Sequence, residues 1–173
     1  MNPWWQGILE SWQADFSDLP DVAGVTRLVT RMLIAAILGG VLGYERERRG
    51  KDAGLRTHML VCLGSALFVF IPQQAGVPDA DLSRVIQGIV TGIGFVGAGA
   101  ILKLPEERRI EGLTTAAGIW LTSAVGIAAG MGREASAILG TVLALAIFAS
   151  LGWIDPPQGP HHREMSKTSS GGN

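Results

Sequence analysis

The sequence predicts an all-α, polytopic membrane protein of about five transmembrane helices preceded by an N-terminal interfacial helix, and three observations carry that reading. Five apolar runs recur at 28–44, 55–71, 85–102, 113–131 and 135–154. Charged residues make up 17% of the chain, against roughly 25% in soluble domains. Basic residues gather in alternate connecting segments instead of spreading evenly. The mean hydropathy of +0.31 agrees with all three.

The arm 1–26 carries Glu10, Asp15, Asp18 and Asp21 and no Lys or Arg, the reverse of the basic start of a secretory signal. Trp5, Ile8, Leu9, Trp12 and Phe16 recur at helical spacing, with Asn2 placed as N-cap and Pro3 at the first helical position. Tryptophan favours the headgroup zone, so this arm is expected to lie flat on the outer leaflet. The domain 27–154 holds the five apolar runs, each 17 to 20 residues long. About 20 residues at 1.5 Å each cross ~30 Å of hydrocarbon, and lipid leaves the backbone no partners outside a helix. A soluble bundle of buried helices is the alternative, but none of the five runs has a polar face wide enough for water. The tail 155–173 is rich in Pro, Gly, Ser and His and is expected to be disordered, with His161 and His162 solvated.

Orientation follows from the short loops. Segment 45–56 holds Arg46, Arg48, Arg49, Lys51 and Arg56; segment 103–112 adds Lys103, Arg108 and Arg109; the tail adds Arg163 and Lys167. The opposite side has only Arg27, Arg31, Arg84 and Arg133. Ten basic residues against four place the rich side in the cytoplasm, the N-terminus outside and the C-terminus inside. The single cysteine, Cys62, excludes an intramolecular disulfide.

Gly92-Ile-Gly94-Phe-Val-Gly97 matches the G-x-G-x-x-G dinucleotide pattern, with Glu111 about 20 residues on. That pattern needs a strand before it and a helix starting within it, whereas these glycines sit inside an apolar run of 18 residues. Helix packing is the reading preferred: Gly88, Gly92, Gly94, Gly97 and Gly99, like Gly39, Gly43 and Gly140 with Ala144, let a neighbouring helix approach closely. Polar residues inside spans are functional suspects by default. His58, Cys62 and Ser65 share one face of the second span; Arg84, Gln87, Thr91 and Ala98 share one face of the third. On the fourth, Thr115, Thr122 and Ser123 lie near one side, with Trp120 close to mid-membrane. Converging faces would line a polar seam; interhelical hydrogen bonds that only hold the bundle together are the equal alternative. In segment 45–56, Glu45 with Arg49 and Glu47 with Lys51 are i,i+4 pairs. Carboxylates so neutralised make a weak cation site, and an anionic partner such as lipid headgroups or an acidic protein surface suits the loop better. No catalytic constellation or clustered metal-ligand spacing appears, so no enzyme, no cofactor and no nucleic-acid partner is expected.

Longer strings then become recognisable. Gly39-Gly-Val-Leu-Gly-Tyr-Glu-Arg-Glu47, Lys51-Asp-Ala-Gly-Leu-Arg-Thr-His58 and Leu60-Val-Cys-Leu-Gly-Ser-Ala-Leu67 closely resemble the first signature of the MgtC/SapB family. Ser83, Arg84, Val85 and the run Gln87 to Gly99 resemble its second, and Gly112-Leu-Thr-Thr-Ala-Ala-Gly-Ile-Trp120 its third. The resemblance implies a small inner-membrane protein of four or five helices, linked to growth under magnesium limitation and survival inside host cells. It further implies regulation of other membrane proteins, the proton-driven ATP synthase among them, although members are often labelled magnesium transporters. Magnesium-linked members carry a folded cytoplasmic domain after the last helix, where this chain has about 20 residues. The functional residues implied by the signatures are Arg31, Glu45, Arg46, Glu47, Lys51, Arg56, Thr57, His58, Arg84, Gln87, Thr91, Thr114, Thr115 and Trp120. Two functions follow: a non-enzymatic regulator binding membrane partners, a second copy of the chain included, or a transporter passing Mg²⁺ or another small ion along the His58/Thr91/Thr115 seam. No acidic residue lies inside a span, which favours the first.

Overall fold

The computed structural model describes residues 4–15, 21–104 and 109–151. The expected N-cap Asn2, Pro3, Phe16 and the tail 155–173 lie outside the described residues. Among the described residues six helices follow one another: α1 (Trp4–Asp15), α2 (Val22–Arg48), α3 (Leu55–Gln74), α4 (Asp79–Gly99), α5 (Leu113–Gly130) and α6 (Glu134–Leu151). The all-α fold is therefore the one expected. Strands β1 (Leu102–Leu104) and β2 (Arg109–Glu111) pair antiparallel between α4 and α5. The stretch 103–112, read from sequence as a plain loop, is in part this small hairpin. Its alternation Leu-Lys-Leu and Arg-Ile-Glu suits a two-residue period too short to register as an element.

Helices α2, α3, α4 and α5 are long and apolar enough to cross a membrane. The fifth apolar helix, Glu134–Ser150, is shorter by the same measure. α2 starts where Asp21 Oδ1 accepts from Gly24 N at 2.7 Å, and it runs on past the apolar run to Arg48. α3 starts where Glu47 Oε2 accepts from Leu55 N at 2.8 Å, which satisfies a backbone donor that its own first turn cannot. α5 starts at Gly112, whose φ of +87° is the left-handed region. A Cβ at Gly112 would collide with the Ala100 carbonyl oxygen, so the hairpin closes only on glycine.

Half of the apolar window of α5 is buried, against 11% for α4, which puts α5 at the centre and α4 at the edge. α5 packs on α2, α3, α4 and α6. The main core joins Ala35 and Leu42 of α2, Cys62 and Ala66 of α3, Val125 and Ala129 of α5, and Ala137, Ala144 and Phe148 of α6. A second cluster, Val69, Leu82 and Ile127, fastens the start of α4 to the far ends of α3 and α5. Small residues let backbones touch, which compensates for the missing hydrophobic drive between helices in lipid. A Cβ at Gly39 would lie 2.6 Å from the His58 carbonyl oxygen, and one at Gly43 2.7 Å from Leu55 Cα. In α5, a Cβ at Gly126 would strike the Cys62 carbonyl and one at Gly130 the Ala66 carbonyl.

The glycines of α4 correct the sequence reading. Gly88, Gly92, Gly94 and Gly99 have nothing within 4 Å of where a Cβ would stand, and Gly97 alone meets a neighbour, Ala116, at 3.7 Å. Gly88 and Gly92 instead border an open groove beside α3, and no helix of the chain closes on them.

Candidate functional site

Consecutive helices run in opposite directions, which leaves α3 and α5 packed side by side in the same direction, as the contacts at their ends show. Arg31, in the first half of α2, donates through Nη1 to Gln73 Oε1 at the end of α3 and to the Gly130 carbonyl at the end of α5, both at 2.9 Å. Its guanidinium lies 5.5 Å from the Phe70 ring centroid. A helix C-terminus leaves carbonyls without partners and carries partial negative charge, so a guanidinium is suited to that place. The turn beyond it uses Gly132 at φ +74°, where a Cβ would meet the same guanidinium.

The opposite end gathers the last turn of α2, the starts of α3 and α5 and the end of α6. Here Arg46 is only 3% exposed, and its guanidinium lies 4.4 Å from the Phe148 ring centroid. Glu45 pairs with Arg49, as its i,i+4 spacing predicts, and its Oε2 is 3.8 Å from Arg46 Nη1. Glu47 does not reach for Lys51 as expected; it turns to the α3 backbone. His58 is wholly buried, with Nδ1 3.0 Å from the Gly54 carbonyl oxygen. A carbonyl only accepts, so Nδ1 carries a proton and donates it to Gly54. A Cβ at Gly118 would lie 3.6 Å from His58 Nε2 and 3.2 Å from Phe148 Cζ.

Between the ends runs the expected seam, built from two helices instead of three. Ser65 of α3 and Ser123 of α5 share a buried hydrogen bond of 2.8 Å. Thr122 donates to the Gly118 carbonyl at 2.8 Å, and Thr115 is buried two turns before Thr122. Cys62 is wholly buried against Gly126. α4 does not contribute. Thr91 is exposed and donates to its own helix at Gln87 O, Gln87 is exposed, and Arg84 is exposed beside Asp81. A seam of His58, Thr91 and Thr115 therefore does not form, because the polar face of α4 is turned outward. Trp120 is half exposed on the outside of α5, and Thr114, Lys51 and Arg56 are exposed, while Thr57 is half-buried. Sequence reasoning missed Phe148 beneath Arg46, Gln73 beside Arg31, and Gly118, Gly126 and Gly130; the Gly126–Gly130 spacing of four was the available signal.

A groove opens between α3 and α4. Leu60, Val61, Gly64 and Phe68 face Gly88, Ile89, Gly92 and Val96 across about 480 Å³ of almost wholly apolar space. Among the described residues no group of three or more His, Cys, Asp or Glu side chains could hold a metal ion.

Apolar spans crossing in alternation, with polar groups buried where they cross, define a multi-pass helical membrane protein. The chain belongs to the MgtC family, which matches residues 32–156. It is 44% identical over 127 residues to "Putative magnesium transporter YhiD" of Escherichia coli K12, covering 69% of this chain and 58% of that protein. It is 44% identical over 126 residues to "Protein SrpB" of Synechococcus elongatus, covering 66% and 69% respectively. To "Protein MgtC" of Brucella abortus it is 44% identical over 117 residues, 68% of this chain and 48% of that protein. The match thus takes in about half to two-thirds of the length of these relatives. No solved structure matches the chain.

Proposed function

We propose that this protein is a non-enzymatic regulator in the bacterial inner membrane that holds an apolar transmembrane helix of a partner membrane protein in its α3–α4 groove and supports growth at low magnesium. The single observation that carries the reading is the set of outward glycines. Gly88 and Gly92 on α4, with Gly64 on α3, have nothing within 4 Å of a Cβ, yet all line one groove. Glycine inside a helix costs about 0.5–1 kcal/mol relative to alanine, and lipid contact alone gives no compensation for it. A second helix does, because bare backbone lets it approach closely. The exposed Lys51 and Arg56 and the segment 45–56 add a cationic surface for acidic groups on the same partner. The relatives' printed names support the link to magnesium.

The seam argues against ion passage through one chain. Ser65 and Ser123 are paired with each other, Thr122 with a helix carbonyl, and the Cys62 and Ala66 carbonyls close on Gly126 and Gly130. Growth of a deletion strain in micromolar magnesium tests the proposal. Gly92→Leu, whose Cβ meets nothing within 4 Å and whose side chain occupies the groove, is expected to abolish rescue while membrane level and melting stay as in the parent. A photoreactive residue at Phe95, which is 84% exposed, should cross-link a membrane protein only in the parent background. Full rescue by Gly92→Leu overturns the proposal, and a cross-link to another copy of this chain makes the occupant a homo-oligomer partner.

A further inference from the structure

α4 has a second outward face, apart from the one that borders the groove. Gln87, Thr91, Gly94 and Ala98 recur at i, i+4, i+7 and i+11, so they form one stripe along the helix, and all four are exposed. None of them lines the α3–α4 groove. The rotation of α4 is held by Leu82, which clusters with Val69 and Ile127, and by Gly97, which meets Ala116. The outward direction of the stripe is therefore a property of the fold.

Depth sets this face apart. α4 runs from Asp79 to Gly99, so Gln87 stands about 12 Å from its start and close to its middle. Arg84 lies nearer the start beside Asp81, where a long side chain reaches the interface. The shorter Gln87 side chain cannot. Polar side chains in a span turn to the interior of a bundle as a rule, because lipid offers them no hydrogen bond. Other outward faces keep to that rule: Leu33 and Ile37 midway along α2, and Leu139, Val142 and Leu143 on α6, are apolar. Thr91 meets the demand within its own helix by donating to the Gln87 carbonyl. The Gln87 amide is left on the outside at mid-span.

An amide both donates and accepts, so it is complementary to itself. Copies inserted in one orientation can be related by a two-fold axis along the membrane normal, which sets Gln87 opposite Gln87. Further along the stripe, a Cβ at Gly94 would meet nothing within 4 Å and Ala98 carries only a methyl, so two α4 backbones can approach closely. We infer that two copies of this chain pair α4 to α4 along this stripe, Nε2 of each Gln87 donating to Oε1 of the partner's Gln87. The groove of each copy stays open in such a dimer, so the pairing goes beyond the groove reading and is tested apart from it.

The test uses the full chain in liposomes of phosphatidylethanolamine and phosphatidylglycerol, where the buried Cys62 is silent. A cysteine beside a two-fold axis meets its own copy. Ala98→Cys is therefore expected to give a disulfide-linked dimer on mild oxidation, while Leu139→Cys, exposed on α6, stays monomeric. Energy transfer between copies dye-labelled at Asp79→Cys reads association without a cross-link. Two interhelical hydrogen bonds are worth roughly tenfold to a hundredfold in association, and Gln87→Leu should weaken it by that factor. Gly92→Leu should leave the transfer unchanged, which separates a failure of the groove from a failure of the stripe. No disulfide at Ala98→Cys, an equal disulfide at Leu139→Cys, undiminished association of Gln87→Leu, or association lost in Gly92→Leu overturns the inference. Should Gln87→Leu fail to insert, the contrast between Ala98→Cys and Leu139→Cys on the otherwise unaltered chain decides alone.

Discussion

At Gly126 a Cβ would strike the Cys62 carbonyl oxygen, and at Gly92 it would meet nothing within 4 Å. The two residues are identical in sequence terms and both sit in apolar runs, yet their substitutions should behave oppositely. Gly126→Ala forces α5 away from α3 and is expected to cost about 1–3 kcal/mol, toward the upper value because the obstacle is backbone. Gly92→Ala should be neutral or stabilising by up to about 1 kcal/mol, since alanine is the better helix former. Thermal melting in detergent checks both, and equal melting of the two variants would sink the packing account. The glycine pattern Gly92–Gly97 draws attention in the sequence because three glycines crowd into six residues. Spacing alone cannot say which way a helix faces; that is decided by what α5 packs against. The same ambiguity hid Arg46. Its membership of a charged stretch reads as solvated, and only the fold brings Phe148 from over 100 positions away to stack beneath it.

Element boundaries follow local chemistry that is partly legible. The apolar runs locate all five apolar helices, while the start of α2 at its Asp21 cap lies ahead of the run that begins at 28. The cap of α3 was not readable, because Glu47 reaches across a turn to Leu55 from eight residues away. Glu47→Ala is expected to lower stability by about 0.5–2 kcal/mol, the range for a lost N-terminal cap, while Glu47→Gln keeps an acceptor and most of the stability. Were Glu47 chiefly an ion-pair partner of Lys51, Lys51→Ala would match that loss, and here it should not. Arg31 supplies the corresponding device at the other end of the bundle, where it joins α2 to the ends of α3 and α5. Arg31→Ala strands the Gly130 carbonyl and should cost about 1–2 kcal/mol, reduced from the buried value because Gln73 is exposed. Amide hydrogen exchange should rise first in the last turn of α5, the segment the contact secures. Uniform acceleration along α5 instead would mean that Arg31 acts on the whole bundle. The outward turn of Arg84, Gln87 and Thr91 belongs to this scale too: their shared face was legible, and its direction was not.

For the whole molecule, the alternation of helices turns loop charges into a statement about sides. The end formed by the last turn of α2, the start of α3 and the hairpin collects the segment 45–56 and the connection between α4 and α5; the other end holds the turns after α3 and α5. Of the basic residues in these short connections, the first end carries nearly all, and short loops rich in Lys and Arg stay in the cytoplasm. The expected arrangement therefore has Lys51 inside and Asp79 outside. The lone Cys62 makes the check direct, because it is wholly buried and should not react with a membrane-impermeant maleimide. In intact cells whose outer membrane has been made permeable, Asp79→Cys should label and Lys51→Cys should not; inverted inner-membrane vesicles should reverse the pattern. Both positions are exposed and lie outside the cores, so neither substitution threatens the fold, and either can serve as the other's control. Labelling of Lys51→Cys from outside would put the basic end in the periplasm.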